Sequence, residues 1–244
     1  ATLGCKVNQA ESSAIVAQFK EAKVVDWQEF ADIYIINTCT VTNRTDYKSR
    51  YLIRQALDKK AANPFTKVVV TGCFAQRSAE DITKLGDIDL IVDNQSKLDI
   101  ASILAGSPYS FMDIMQAQSF AYKPYTQMNE RTRAFMKIQD GCDFYCSYCA
   151  VPYGRGHNRS ASPEQVLQQA SALLKSGYKE IVLGGVNLGL YRSGSYGLLE
   201  VVNELAKLDG LALIRLSSLE PQLLTDAMCE AFSKVDKLCP HFHI

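Results

Sequence analysis

The sequence lacks the usual marks of a membrane or secreted protein. It has no apolar run of about eighteen residues and no basic segment followed by an apolar one at its N-terminus. The chain also has no formal net charge, because 26 Lys and Arg residues balance 26 Asp and Glu residues. The charge of the whole chain therefore neither indicates nor excludes a nucleic-acid partner. We expect a cytoplasmic protein with no membrane partner.

The cysteines lack the spacing of a disulfide scaffold. Eight cysteines among 244 residues are too sparse for that class, and several adjoin glycine or small polar residues. We therefore expect free thiols in a reducing compartment. The 47% apolar content can form a sizeable core in one or two domains. Ala1 stands inside a predicted strand and Ile244 inside an apolar run, so we expect a fragment of a longer protein.

A dense three-cysteine motif is the strongest chemical signal that is present. Cys142, Cys146 and Cys149 follow the spacing C-x3-C-x2-C. One tight loop can direct three thiolates at an iron–sulfur cube, and the fourth iron then has no protein ligand. The alternatives are a zinc site, which normally takes four ligands in paired blocks, or three unrelated core cysteines. The spacing favours a cluster whose open iron binds a substrate or cofactor.

The first half of the chain alternates between apolar runs and helical patterns. This alternation predicts a parallel sheet with helices on both faces. The predicted strands after the first are 31–37, 68–70 and 90–92, and the predicted helices are 11–20, 43–60, 78–85 and 98–104. Ligands of such sheets bind outside the carboxyl ends of the strands.

Three more cysteines follow predicted strands in this half. Cys5, Cys39 and Cys73 are separated by 34 residues, once from Cys5 to Cys39 and once from Cys39 to Cys73. One repeat of strand and helix produces such an interval, so the three sulfurs are expected at one rim of the sheet. The alternative is simple burial, because free cysteine packs well in protein cores. We predict a second three-cysteine site.

The second half predicts an incomplete (β/α) barrel. We assign residues 1–118 to the N-terminal domain, 119–132 to a linker and 133–244 to the barrel. The predicted strands are 134–139, 180–183, 213–216 and a fourth that begins at 241, and the predicted helices are one that begins at 162 and two at 198–208 and 223–232. Catalytic groups of such barrels lie at the carboxyl ends of the strands. Those ends carry the cysteine loop, the Gly184–Gly185 pair and Ser217.

With Tyr148 just before the last cysteine, the C-x3-C-x2-C motif resembles the signature of the radical S-adenosylmethionine superfamily. Three further cysteines in an N-terminal α/β domain make nearly the whole chain similar to the methylthiotransferases of that superfamily. The segments 2–9, 37–42 and 71–73 most resemble the branch that acts on threonylcarbamoyladenosine in tRNA. Lys6-Val7-Asn8 follows the first cysteine, where the isopentenyladenosine branch typically has Gln-Met-Asn and the ribosomal-protein branch Pro-Lys-Asn.

The resemblance implies a flavodoxin-like N-terminal domain, a radical S-adenosylmethionine barrel and two 4Fe-4S clusters. The cluster on Cys142, Cys146 and Cys149 would reduce S-adenosylmethionine to give a 5′-deoxyadenosyl radical, and the cluster on Cys5, Cys39 and Cys73 would hold the sulfur to be inserted. The implied product carries a methylthio group on C2 of N6-threonylcarbamoyladenosine next to the anticodon. Alternatives are isopentenyladenosine or a ribosomal protein as the target, and, outside enzymology, a zinc-stabilised nucleic-acid-binding module.

The resemblance also implies binding residues and partners. Tyr148 would approach the adenine of S-adenosylmethionine, and further cofactor contacts are expected from Gly184, Gly185, Ser217 and Glu220. The cationic group Arg131, Arg133, Lys137, Arg155 and Arg159 suits RNA phosphates, with Arg155 and Arg159 as the substrate candidates. A basic helix offers a second group of cations, which either contact RNA phosphates as well or cover the packed core of the domain. These residues are Arg44, Lys48, Arg50 and Arg54. The expected partners are tRNA, a flavodoxin- or ferredoxin-type electron donor and a sulfur donor.

Overall fold

A computed structural model describes residues 1–126 and 132–244 of the chain. These residues form two units, of which the first contains Ala1–Ala117 and Phe144–Gly156 and the second contains Gln118–Asp143 and His157–Ile244. The boundaries 1–118, 119–132 and 133–244 stay predictions from the sequence. Across the described residues, every helix is too short or too polar to cross a membrane.

The first unit contains a parallel sheet in the order β1-β2-β3. Its strands are β1 (Ile33–Thr38), β2 (Lys67–Gly72) and β3 (Leu90–Ile91). Thr38 pairs with Gly72, so β1 and β2 end level with each other. Thr2 bridges in parallel to Asn37, on the side of β1 away from β2. The helices are α1 (Lys6–Val16), α2 (Asn43–Ala62), α3 (Cys73–Arg77), α4 (Ala79–Thr83), α5 (Ile100–Leu104) and α6 (Val151–Arg155), with 3-10 turns at Lys97–Asp99 and Ile114–Gln116.

Burial explains why the strands of this sheet were readable from the sequence. Val68, Val69 and Val70 are consecutive and fully buried, which requires cover on both faces of β2. On α2, Ile53 and Ala56 are three residues apart and belong to the same core. The predicted strands and the predicted helix 43–60 are therefore confirmed, with shifts of one or two residues at their ends.

Two helix predictions in the first unit were wrong in their limits. The helix expected over 11–20 is α1, which begins at Lys6 and ends at Val16. The buried face of α1 includes the polar residues Asn8 and Glu11. A search for apolar residues at helical spacing therefore did not detect the first turns of this helix. The helix expected over 78–85 is α4, which covers only Ala79–Thr83, and a further helix, α3, precedes it at Cys73–Arg77. Cys73 is consequently the first residue of a helix.

The second unit has a parallel sheet in the order β10-β7-β4. Its strands are β4 (Ala134–Lys137), β7 (Glu180–Gly184) and β10 (Leu213–Leu216), and two short antiparallel pairs join β5 (Gln139–Asp140) to β6 (Arg159–Ser160) and β8 (Arg192–Ser193) to β9 (Tyr196–Gly197). The helices are α7 (Pro163–Lys175), α8 (Leu198–Ala206) and α9 (Asp226–Ser233), with 3-10 turns at Leu188–Leu190 and Pro221–Leu223. Successive βα units supply neighbouring strands, which is the arrangement of a (β/α) barrel.

Individual capping residues and prolines explain which predicted helices and strands are confirmed in the second unit. The capping box at the start of α7 is confirmed, because Ser162 and Gln165 exchange side-chain to backbone hydrogen bonds of 3.0 and 3.2 Å. The strand expected at 241–244 is absent from the described structure, where Leu238 instead bridges to Ile214. Pro240 has no N–H group for a sheet ladder, which explains the failure. The helix expected over 223–232 begins at Asp226, after a 3-10 turn and the capping residue Thr225.

Candidate cluster sites and the buried ion network

Cys5, Cys39 and Cys73 meet at the carboxyl edge of the first sheet. Cys39 follows β1, Cys73 follows β2, and Cys5 lies three residues beyond the bridge at Thr2. Burial raises the pKa of Cys39, and the charges of Cys73 and Cys5 raise it further. Gly4, beside Cys5, lies against the Cys39 side chain, and Gly72, beside Cys73, lies against the Thr38 backbone. The structure therefore brings together the three thiols that the sequence placed at strand ends.

Two glycines permit this close approach. Gly4 has φ +92°, and a Cβ there would lie 2.7 Å from both the Cβ and the Sγ of Cys39. Gly72 has φ +97°, and its Cβ would overlap the carbonyl oxygen of Thr38 and lie 2.5 Å from the Thr38 nitrogen. Such a backbone conformation favours glycine in any case. The Gly-Cys pairs are visible in the sequence, but the close contacts that require glycine are not.

Gly72→Ala is expected to lower the free energy of unfolding by about 2–5 kcal/mol, because left-handed strain and overpacking act together. Urea unfolding of the metal-free protein measures this. Gly106→Ala is the matched control, since Gly106 has φ +101° but nothing lies within 4 Å of its Cβ position. We expect a loss of only about 1 kcal/mol there, from backbone strain alone. Equal losses in the two variants would contradict a steric role for the contact with Thr38.

A carboxylate and two cations are buried beside these cysteines. The Glu11 carboxylate accepts hydrogen bonds of 3.0 and 3.1 Å from the two Nη atoms of Arg155. The Nζ of Lys97 also donates to Glu11. The residues are at most 2% exposed, so water does not screen these charges. The Glu11 carboxylate is therefore a counterion of both cations.

Two buried asparagines connect the charged group to the cysteine rim. Asn94 accepts a 2.7 Å hydrogen bond from Lys97, donates to the carbonyl of Gly154 and lies 3.8 Å from the Cys73 sulfur. Asn8 donates to the carbonyls of Leu3 and Thr38 at 2.8 and 2.9 Å, and its own carbonyl accepts from Arg155. The positions of the thiols are thus coupled to the ion pairs.

One cation of this group, Arg155, acts on a thiol of the cysteine rim. The charge of Arg155 lowers the pKa of Cys39, against the larger effect of burial. Thiolates are the form that binds iron, so a nearby fixed cation favours the ligating state. The donor set therefore fits a cluster of the kind that the sequence predicts. Within residues 1–126 and 132–244, no three His, Cys, Asp or Glu side chains already stand in metal-binding geometry.

The second cysteine motif is divided between the units. Cys142 belongs to the second unit, whereas Cys146 and Cys149 belong to the first. The N–H group of Cys149 donates to the carbonyl of Cys146 at 2.8 Å, which closes a tight turn. Cys146 is exposed and Cys149 half-buried. Tyr148 between them is 89% exposed, so its backbone and ring are accessible to a ligand.

Of the other residues expected to bind the cofactor, Gly184, Gly185 and Ser217 lie at strand ends of the second unit, but Gly185 and Ser217 are engaged with protein atoms. A Cβ on Gly185 would lie 2.6 Å from Oε1 of Gln139, and the N–H groups of Val186 and Asn187 donate to the same oxygen. The corresponding position on Gly184 is 3.5 Å from a backbone oxygen. The hydroxyl of Ser217 donates to the carbonyl of Leu183 at 2.9 Å, and Glu220 is exposed.

Sequence analysis missed Gln139 and Asn187. Gln139 ties β5 to the loop after β7 through its carbonyl oxygen. Asn187 is 3% exposed, and neither polar atom of its side chain has a hydrogen-bond partner among the described residues. An unpaired buried amide is unfavourable, so a bound ligand or water is the usual explanation. The Gly-Gly-x-Asn sequence at a strand end was the available signal.

Most of the cationic residues expected to contact RNA instead contact carboxylate or carbonyl groups of the protein. Arg155 is the buried partner of Glu11, and this burial removes it from the phosphate-binding candidates. Arg159 is 6% exposed and donates to the carbonyl of His157 at 2.8 Å. Lys137 pairs with Asp140 at 3.0 Å, and Arg133 lies 3.8 Å from Glu180. Arg131 lies outside the described residues.

Comparisons with known proteins agree with these features. Residues 1–93 match the Uncharacterized protein family UPF0004, and residues 136–244 match the Radical SAM superfamily. In the solved structure of TsrM from Kitasatospora setae, a radical S-adenosylmethionine methyltransferase, the fold is similar with a TM-score of 0.64 at 12% identity, over 94% of this chain and 56% of that one. The sheets, the cysteine motif and these matches define a radical S-adenosylmethionine protein.

Relatives that resemble the whole chain narrow the assignment from the superfamily to a family within it. It is 39% and 35% identical over its full length to the threonylcarbamoyladenosine tRNA methylthiotransferases MtaB of Bacillus subtilis and Aquifex aeolicus. It is 30% identical to the ribosomal protein uS12 methylthiotransferase RimO of Desulfitobacterium hafniense. The chain belongs to the radical S-adenosylmethionine methylthiotransferase family. It spans 56%, 61% and 57% of the lengths of these three relatives.

Proposed function

We propose that the protein is a tRNA methylthiotransferase that adds a methylthio group to C2 of N6-threonylcarbamoyladenosine next to the anticodon. The observation that carries this proposal is the meeting of Cys5, Cys39 and Cys73 at one sheet edge beside the buried ion pair of Arg155 and Glu11. A chain that also carries the C-x3-C-x2-C motif has the ligands for two clusters. The relatives named for this nucleoside support the choice of substrate.

The cysteines would hold two 4Fe-4S clusters, three thiolates to each. When bound, the clusters and S-adenosylmethionine supply the reducing electron, the radical chemistry and the sulfur. The residues of the chain bind, orient and exclude water around them. Gly4 and Gly72 keep the sulfurs of the first site close, and Arg155 holds a positive charge next to them.

Cofactor contacts beyond the clusters are assigned to the carboxyl ends of the barrel strands. Tyr148, Gly184, Gly185, Ser217 and Glu220 remain the proposed S-adenosylmethionine contacts. The contacts of Gly185 and Ser217 with protein atoms give them a second role, namely shaping the loop after β7. The unpaired amide of Asn187 is added to this group, because it can donate and accept a hydrogen bond.

The proposed reaction requires partners. A flavodoxin- or ferredoxin-type protein would supply electrons, and a separate donor would supply sulfur. The tRNA substrate implies a cytoplasmic location. Arg159 remains a proposed substrate contact, while Arg155 is assigned to the buried ion network.

Deleting the gene is expected to abolish methylthiolated threonylcarbamoyladenosine in tRNA and to leave the unmodified precursor in its place. Mass spectrometry of tRNA nucleosides measures both. Complementation with the native gene should restore the product, and complementation with a Cys149→Ala variant should not, because that cluster would lose a ligand. Persistence of the product at full level in a strain without a paralogue would overturn the substrate assignment.

The same experiment separates the alternatives. Loss of the methylthio group from isopentenyladenosine, or from a ribosomal protein, would assign the chain to the functions carried by other relatives at 30% identity. Anaerobic reconstitution with iron and sulfide addresses the zinc-stabilised module. About eight iron atoms per chain are expected for two cubes. Tight zinc without visible absorbance would contradict the enzyme.

A further inference from the structure

The outward face of α2 carries a continuous stripe of cations and tyrosines. The exposed residues of this face follow one another at three intervals of three residues and one of a single residue, and they are Arg44, Tyr47, Lys48, Tyr51 and Arg54. Residues at this spacing share one side of a helix. The buried residues of α2 are Ser49, Ile53 and Ala56, which lie on the opposite side. We propose that this stripe, named here the α2 stripe, binds the backbone and bases of the RNA substrate.

The contacts of the basic residues divide α2 into two groups. Arg50 lies over the ring of Phe74 at 4.9 Å, Lys59 lies over the rings of Trp27 and Tyr34, and Lys60 pairs with Asp87 and Asp89. These three cations stabilise the domain. Arg44, Lys48 and Arg54 make no hydrogen bond or ion pair with any residue that the structure describes. The cations without an internal role are therefore the ones gathered on the α2 stripe.

The aromatic residues of the α2 stripe argue for a nucleic acid. Tyr47 is 65% exposed and Tyr51 52% exposed, which is unfavourable for large rings unless a partner covers them. Alternation of cations with exposed aromatic rings is the pattern by which proteins bind phosphates and stack unpaired bases. Asp58, at the far end, is the one acidic residue in line with the stripe among the described residues of α2. An acidic protein would be attracted by the cations but would leave the rings unexplained.

The position of α2 fits a substrate of the proposed enzyme. The helix begins at Asn43, four residues after Cys39, and the hydroxyl of Ser49 donates to the Cys39 carbonyl at 3.1 Å. From Arg44 to Arg54 the stripe extends about 15 Å along the helix axis. This length matches about four phosphates at an axial spacing of about 3.4 Å in a helical strand. RNA held along α2 would therefore end close to the cysteine rim. The inference rests on the proposed function.

The test measures binding of a fluorescently labelled anticodon stem–loop RNA to the full-length protein over a range of salt concentrations. In R44A/K48A/R54A, we expect the slope of log K against log salt to fall by about two to three, and affinity at about 0.1 M salt to fall at least tenfold. K20A/K23A/K67A removes three exposed cations elsewhere in the first unit and should change neither quantity. Y47A/Y51A should weaken binding about tenfold, whereas Y47F/Y51F keeps both rings and should retain it.

Iron content and cleavage of S-adenosylmethionine without RNA should be unchanged in these variants, because the α2 stripe contains no ligand of either cluster. If the native protein and R44A/K48A/R54A bind RNA with equal affinity and equal salt dependence, the proposal that the α2 stripe binds RNA is wrong. The proposed function is not affected by that result. Normal RNA binding combined with loss of binding to reduced flavodoxin would overturn it in favour of a protein partner. If the native protein binds no RNA, the proposed function and the α2 stripe both fail.

Discussion

Replacing Glu11 by alanine is expected to lower the free energy of unfolding of the metal-free protein by about 3–5 kcal/mol, one of the largest effects of any single substitution considered. The Glu11 carboxylate contacts both Arg155 and Lys97, and all three side chains are buried. Its removal takes away the carboxylate that both buried cations contact, and breaking a buried ion pair by removing one partner is strongly unfavourable. Urea unfolding followed by circular dichroism measures the loss.

The control for this prediction is an exposed ion pair. Asp81 pairs with Lys84 at 3.1 Å, but both side chains are more than half exposed. Asp81→Ala should therefore change the free energy of unfolding by less than about 0.5 kcal/mol. Lys97→Met should destabilise less than Glu11→Ala, because the ion pair between Glu11 and Arg155 is retained. A Glu11→Ala variant as stable as Asp81→Ala would contradict the counterion role.

The second large effect concerns the two groups of cysteines. Replacement of Cys5, Cys39 and Cys73 together by alanine should reduce the iron content from about eight atoms per chain to about four. The same loss is expected for alanine at Cys142, Cys146 and Cys149. The two triple variants should differ in chemistry. The first should still cleave S-adenosylmethionine under reducing conditions, and the second should not, because the cleaving cluster is absent.

Cys229→Ala is the matched control for the triple variants. Cys229 is an exposed free cysteine on α9 and has no partner cysteine at ligand spacing in the sequence. Its iron content and cleavage rate should equal those of the native protein. Retention of about eight iron atoms after loss of Cys5, Cys39 and Cys73 would show that these thiols only pack at the sheet edge. Loss of all iron from either triple variant would show that the two sites do not load independently.

Much of the fold could be predicted because its signals are local. The run Val68-Val69-Val70 indicated a doubly covered strand, and Ser162 with Gln165 indicated the first turn of α7. The meeting of Cys5, Cys39 and Cys73 was also predictable, since strand ends of a parallel sheet share an edge. The start of α1 was not, because Asn8 and Glu11 occupy its inner face. A pattern of apolar residues cannot reveal a face that is buried by ion pairing.

The buried ion network of Glu11, Lys97 and Arg155 could not be predicted from the sequence for a different reason. Arg155 and Glu11 are 144 positions apart, and no periodicity connects them. In the sequence, Arg155 stands beside tyrosines and other cations, which favours an RNA contact. The structure pairs it with a carboxylate that local patterns assign to an ordinary helix start. Nor could composition distinguish Arg50, which packs on Phe74, from Arg44 and Arg54 on the same helix.

The discontinuity of the first unit has a consequence for its synthesis. Glu11 and Lys97 leave the ribosome well before Arg155, which follows Lys97 by 58 positions. At about 5–20 residues per second, the nascent chain carries an incomplete ion group for about 3–12 s. Completion of the first unit must therefore wait until Cys142, Cys146 and Cys149 have also been synthesised. The order of translation thus makes all six cysteines available before the edge around Cys39 closes.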